Sequence, residues 1–340
     1  MSTLVDNLPA LIILLVIVGF LVFTGSRLGP SFVIRRLAGL VFVLLGVTFI
    51  TFILGYFAPG NIVTSQLGQH PNVAAASSLR HFYGLDLPWW GQYLRYLNLL
   101  LHFNLGYSWV DESKSVWQIL SLYLPASMQL GVMGTILSLL LGVPLGVMAA
   151  VRSGTRFDST AQSVGLVFYA LPFFVIIPFY DIAMVTLVNH QIPSLATSGW
   201  GTWDTELAPI VILAIGSFAY YLRLTRSSMV EVLRQDYVRT ARAKGISERL
   251  VIFRHAFRNA LIPLLTAIGP ALAYVVTGLF IIESLMNIPG IGEEGLIAIT
   301  SHDFPVVEGT VMLLALAVVF MNLVTDVAYG FADPRVKSGN

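Results

Sequence analysis

No cysteine occurs among the 340 residues. Disulfides, thiolate metal sites and cysteine nucleophiles are excluded together. Charge is scarce as well: Asp, Glu, Lys and Arg make up 11% of the chain, against about a quarter in a soluble domain. Only Lys114, Lys244 and Lys337 are lysines, and none follows a glycine. A phosphate-gripping Gly-Lys-Ser/Thr loop is therefore missing, and ATP hydrolysis by that route with it. No His-Glu-x-x-His pair is present, which argues against a zincin-type membrane protease. His70, His81, His102, His190, His255 and His302 lack close paired spacing, so this chain is not expected to ligate nickel or another metal directly. A net charge of +1 gives a nucleic-acid partner nothing to hold.

What the chain has instead is apolar surface. Hydrophobic residues make up 56% of it and the mean hydropathy is +0.80. A soluble core cannot absorb that much, so lipid must, and the fold class is all-α integral membrane. A bilayer core about 30 Å thick needs roughly 20 apolar residues per helix. Seven stretches come close: 8–24, 34–57, 124–151, 160–188, 208–224, 263–285 and 308–329. The first is short. It has neither a basic start nor a small-residue cleavage site, so it reads as an added anchor helix rather than a signal peptide. Residues 1–33 are thus an anchor and link, and 34–340 a six-helix transmembrane domain.

Lys and Arg set the orientation, because cytoplasmic loops retain positive charge. One set of loops holds 16 of them and the opposite set holds Arg80, Arg95 and Lys114, which accounts for all 19. Seven alternating spans then place the C-terminus inside and the N-terminus outside. Asp181, Glu283 and Glu308 fall toward outer span ends, and Asp326 and Arg223 toward inner ends. They read as interfacial or capping charges. The span middles are almost free of charge, which weighs against an ion-coupled secondary carrier with a fixed ionic site. A membrane-embedded enzyme lacks any nucleophile–base or metal motif here. Ser138, Gln162, Ser163 and Thr277 are small or polar positions that fit the wall of a water-filled route; helix packing explains each of them equally well.

Two loops are long. The external one, 58–123, carries Trp89, Trp90, Tyr93, Tyr96, Trp109 and Trp117, rings that favour the membrane–water interface. It reads as a partly helical cap. The cytoplasmic one, 225–262, carries more. Met229, Leu233, Tyr237 and Ala241 recur at intervals of four, which predicts one amphipathic helix over 228–243. Gly245 stands where a left-handed residue ends a helix. Ser247 is placed to cap a second helix with Glu248 in its first turn, and Leu250, Phe253, Phe257 and Leu261 continue an apolar stripe. Thr240, Ala241, Ala243 and Gly245 make the tip small, so that a partner can approach closely.

The run Asp236-Tyr237-Val238-Arg239-Thr240-Ala241-Arg242-Ala243-Lys244-Gly245, followed by Arg254-His255-Ala256-Phe257-Arg258-Asn259-Ala260-Leu261-Ile262-Pro263, resembles the signature of the dipeptide/oligopeptide/nickel ABC-transporter permeases. Further agreement lies in Gly84-Leu85-Asp86-Leu87-Pro88, Asn104-Leu105-Gly106-Tyr107-Ser108, Leu124-Pro125-Ala126-Ser127, Ile288-Pro289-Gly290-Ile291-Gly292, Asp303-Phe304-Pro305 and Ala332-Asp333-Pro334-Arg335. The likeness runs over 34–337, and the long external loop is similar to the B-type member of the permease pair. It implies a six-helix type I importer permease in the plasma (inner) membrane of a bacterium or archaeon. Its implied partners are a paralogous second permease, two ABC ATPase subunits, an extracellular or periplasmic solute-binding protein and membrane lipid. ATP and Mg would be bound by the ATPases, with no cofactor and no covalent chemistry in this chain. In ABC importers the corresponding loop bears a Glu-Ala-Ala-x-x-x-Gly motif that sits in a groove of the ATPase. Here Ala241 and Gly245 match it, while Arg239 and Thr240 replace its first two residues. The resemblance thus implies ATPase docking by Tyr237, Arg239, Thr240, Ala241, Arg242, Ala243, Lys244 and Gly245. It also implies peptides as solutes, with nickel, glutathione and oligosaccharides as alternatives within the same family.

Overall fold

The computed structural model describes residues 30–58, 63, 72–261, 264 and 279–332. The stretch 8–24, most of 263–285 and Thr277 lie outside the described residues. Among the described residues there is no strand, only an isolated bridge between Tyr107 and Ser115. Four helices are long and apolar enough to cross a membrane, and a bent pair makes up to five. The chain divides into two compact units, Met1–Pro125 with Gly290–Phe320, and Ala126–Pro289 with Met321–Asn340.

The first unit opens with α1 (Pro30–Phe57). Its apolar residues point in all directions, and Phe42, Ile50 and Leu54 are exposed, as suits a helix facing lipid. The aromatic loop folds into α2 (Val73–Tyr83) and α3 (Trp89–Leu101). Asn72 caps the first by accepting a hydrogen bond from the Ala74 amide at 3.0 Å. Gly84, at φ +72°, ends it: the Gly84 amide donates to His81 O and the Leu85 amide to Arg80 O, the paired bonds of a left-handed helix stop. The first turns of α4 (Val116–Val151) pack with α10 (Ile291–Thr300) and the start of α11 (Phe304–Ala332). Val116, Leu120, Ile291, Val306 and Leu313 form that core. Buried Asp303 pins the preceding loop, accepting from the Ser108 hydroxyl and from the Trp109 amide at 3.0 Å.

In the second unit the stretch 160–188 is not one straight span. It forms α5 (Arg156–Ala170) and α6 (Phe173–Asn189), bent by 94°. Pro172 is the cause: it lacks an amide hydrogen and forces the residue before it out of helical geometry, leaving Leu171 at φ −82°, ψ 115°. The next long helix, α7 (Trp203–Leu233), lies close against α4. A Cβ placed on Gly142 would sit 2.5 Å from Phe218 O, and one on Gly146 would sit 2.7 Å from Leu222 O. Two glycines four apart therefore let backbone meet backbone, as membrane helix pairs favour. Leu130, Ile177, Ile212, Leu213, Ile282 and Met286 build a core of this unit, the last two from α9 (Phe280–Leu285) and its C-cap. Glu283 is buried rather than exposed: it is 1% exposed and accepts the Ser127 hydroxyl at 2.6 Å. A buried carboxylate needs such donors.

Candidate functional site

The cytoplasmic loop departs from the single helix expected over 228–243. α7 ends at Leu233, and a break at Arg234 and Gln235 precedes α8 (Asp236–Ala243). Gln235 adopts extended backbone at φ −72°, ψ 148°, which resets the helical register. The four-residue stripe is interrupted accordingly. Met229 and Ala241 are buried, whereas Tyr237 is 44% exposed and Val238 takes the inward place. Val238, Ala241 and Val251 form a small core with Ile246 against it.

Gly245 has φ +74°. Its amide donates to Arg242 O at 2.9 Å and the Ile246 amide to Ala241 O at 3.4 Å. These two bonds, with Ile246 packed on the core that contains Ala241, make a complete Schellman stop. Of the eight docking positions, Ala241 is buried and the other seven are exposed. Nothing stands within 4 Å of the place a Gly245 Cβ would occupy, so the tip is open.

Polar bonds hold the tip. Arg242 Nη2 donates to Glu248 Oε1 at 2.7 Å and Arg242 Nε to Oε2 at 3.1 Å. The Arg242 hydrogen bond keeps the Glu248 carboxyl below its usual range, and Glu248 pushes Arg242 up. Thr240 Oγ1 donates to Asp236 O at 2.9 Å, and Asn259 Nδ2 to Tyr237 Oη at 2.8 Å. Arg239 faces Asp236 at 3.4 Å, fully on the surface.

The second segment also differs from expectation. Ser247 makes no side-chain cap; its backbone carbonyl accepts from the Val251 amide. After one helical turn at Glu248–Leu250 the chain winds as a π-helix over Val251–Phe257. That wider winding buries Val251, Ala256 and Ala260, five and four residues apart, and leaves Leu250 and Phe253 at 50% and 56% exposure. Ala256 and Ala260 pack with Met229, Val147 and Ala150, which seats the loop on the ends of the spans.

Beside this seat lies a cluster that sequence reasoning missed. Asp158, nearly fully buried, accepts from Arg226 Nε at 2.5 Å and Nη2 at 2.6 Å. It also accepts from the Gly154 amide at 3.0 Å and from Gln162 Nε2 at 2.9 Å. Thr155 before an acidic residue three places on was the available signal of a helix start. The partner, 68 residues away, carried none. Gln162, a pathway candidate, is thus engaged by Asp158. Ser138 is fully buried and donates to Thr135 O at 2.8 Å, the geometry of a packing residue. Ser163 is exposed.

Comparison with known proteins adds the family. Residues 30–131 match the N-terminal part of the binding-protein-dependent transport system membrane component, and residues 142–338 match the binding-protein-dependent transport system inner membrane component. The dipeptide transport system permease protein DppB of Bacillus subtilis is 36% identical, covering 90% of this chain and 97% of its own length. The di/tripeptide permease protein DppB of Pseudomonas aeruginosa is 35% identical over 90% of this chain and 98% of its own, and the oligopeptide permease protein AppB of B. subtilis 30% over 90% and 99%. A solved structure of the MetNI methionine ABC transporter in inward-facing conformations matches with a TM-score of 0.54 at 17% identity, over 64% of this chain and 97% of that one, a likeness of fold. The helices and these matches together make the chain a member of the binding-protein-dependent transport system inner membrane components, the permease subunits of ABC importers.

Proposed function

We propose that this chain is the B-type permease of a peptide importer, carrying di- or oligopeptides handed over by an extracellular solute-binding protein. The reading rests chiefly on relatives named for dipeptide, di/tripeptide and oligopeptide transport, matched over nearly their entire length. The chain pairs with a paralogous permease in the inner membrane and docks two ATPase subunits, which bind ATP and Mg. Tyr237, Arg239 to Lys244 and Gly245 form the docking tip. Closure of the ATPases on ATP moves this tip, and the spans switch between inward- and outward-facing states. Ser138, Gln162, Ser163 and Thr277 are the candidates for the wall of a weakly polar route. Residues 34–340 act as one permease domain, and 1–33 add an anchor that places the N-terminus outside.

The test is reconstitution. The complete transporter in proteoliposomes, supplied with its binding protein and ATP, accumulates labelled di- or oligopeptide. Nickel, glutathione and oligosaccharide do not compete. Uptake of one of those solutes with indifference to peptides overturns the peptide reading and keeps the permease. Failure to co-purify with ATPase subunits overturns the docking reading.

A further inference from the structure

Within the first unit a cavity of about 560 Å³ lies among α1, α2, α3, the loop at 104–112 and the start of α11. Three acidic or basic side chains line it: Arg95, Glu112 and Glu308. One of the two acids is already engaged. Glu112 accepts the Tyr83 hydroxyl at 2.5 Å. The Arg95 guanidinium lies in the space that Gly84, at φ +72°, leaves without a Cβ. Glu308 is different: among the described residues it has no hydrogen-bond or ion-pair partner. Tyr96 lines the same cavity, and its Oη is buried and unpartnered. The wall is aromatic. Tyr83 and Trp109 have ring centroids 5.1 Å apart, and Trp109 and Phe304 5.7 Å apart.

An unpaired carboxylate behind aromatic rings has lost solvation without gaining a partner. A singly charged organic cation supplies what is missing. It neutralises Glu308, offers hydrogens to its oxygens, and lies against ring faces that attract positive charge. Calcium and magnesium need six or more oxygens, and one free carboxylate with phenols does not furnish them. We propose that this cavity is a binding site for a primary ammonium group, with Glu308 as its counter-ion and Tyr83, Trp109 and Phe304 as its aromatic wall. The ammonium comes either from a free amino terminus of a small peptide or from an aminophospholipid headgroup. The site stands independently of which solute the importer carries.

The assembled transporter, without binding protein, is placed in nanodiscs of phosphatidylglycerol and titrated with labelled dialanine, with N-acetyl-dialanine as competitor. In a second arm the nanodiscs contain phosphatidylethanolamine, and native mass spectrometry counts retained lipid. If the peptide amine is the ligand, dialanine binds saturably, Glu308→Gln weakens it at least tenfold, and the acetylated peptide does not compete. If the headgroup is the ligand, phosphatidylethanolamine is retained over phosphatidylglycerol by the native protein and not by Glu308→Gln. Trp109→Leu weakens the same signal several-fold and serves should Glu308→Gln fail to assemble. The proposal is overturned if neither amine probe distinguishes the native protein from both variants.

Discussion

Gly245 separates two demands that a single residue meets. Its φ of +74° costs an ordinary side chain about 1–2 kcal/mol, and its open surroundings leave the tip bare, as the proposed docking requires. Asn tolerates the left-handed region yet carries bulk. Gly245→Asn is therefore expected to leave insertion and loop folding intact while lowering co-purification with ATPase and transport several-fold. Gly245→Asp is expected to do the same and more. Normal transport by Gly245→Asn removes this residue from the docking surface. The Arg242–Glu248 bond nearby gives a pH dependence. Glu248 has its folded value depressed below 4.5, so the tie is fully present above that value and is lost as pH falls through the depressed one. Both side chains are about half exposed, which limits the contribution to below about 1 kcal/mol. Hydrogen exchange at 242–250, corrected for intrinsic rates, is expected to quicken as pH falls through the depressed Glu248 value, and Glu248→Gln to flatten that change. The glycine stop was legible in the sequence because it is local. The Arg242–Glu248 bond needed the turn to be folded before its partners met.

At the scale of elements, apolar length was legible and its interruptions were not. Pro172 stood in the sequence, but prolines are tolerated inside membrane helices, as Pro178 and Pro209 are here. Nothing local told which one breaks its span by 94°. The stripe through Tyr237 and the one through Leu250 and Phe253 were read at α-helical spacing, and an extended residue at 235 and a π-turn shifted both. Gly142 and Gly146 carry a measurable consequence. A side chain at either meets backbone of α7 within 2.5–2.7 Å, and backbone cannot step aside. Gly142→Leu is expected to cost about 3 kcal/mol or more by overpacking, read as a lower Tm of the purified complex, whereas Gly46→Ala, with nothing within 4 Å, leaves Tm unchanged. Asp158 and Arg226 join α5 to α7. Removing one partner of a buried pair costs about 3–5 kcal/mol, and the 23% exposure of Arg226 puts Asp158→Asn near the lower figure. The double variant Asp158→Leu with Arg226→Leu is expected to recover part of that loss, because no charge is then left unpaired.

For the whole molecule, composition and one loop signature were enough for class and family, whereas the cavity at Glu308 was not foreseeable. Its lining comes from five separate segments between Phe52 and Glu308, and no spacing in the sequence brings them together. Orientation is the whole-molecule property with the most direct test. The split of 16 against 3 basic residues predicts the loop at 152–156 inside and the loop at 58–123 outside. Because the chain has no cysteine, one introduced thiol is the only one that a maleimide can find in it. Ser78 and Ser153 are exposed, and Ser→Cys changes one atom at each. In intact cells an impermeant maleimide is expected to label Ser78→Cys and spare Ser153→Cys, with both labelled after permeabilisation. Ser2→Cys extends the test to the anchor: labelling from outside means that 8–24 crosses the bilayer, and protection until permeabilisation means that it does not. The two results are separable. The six family spans keep their orientation whichever way Ser2 falls, so a protected Ser2 corrects only the anchor, whereas labelling of Ser153→Cys from outside inverts the chain and takes the docking loop away from the compartment that holds ATP.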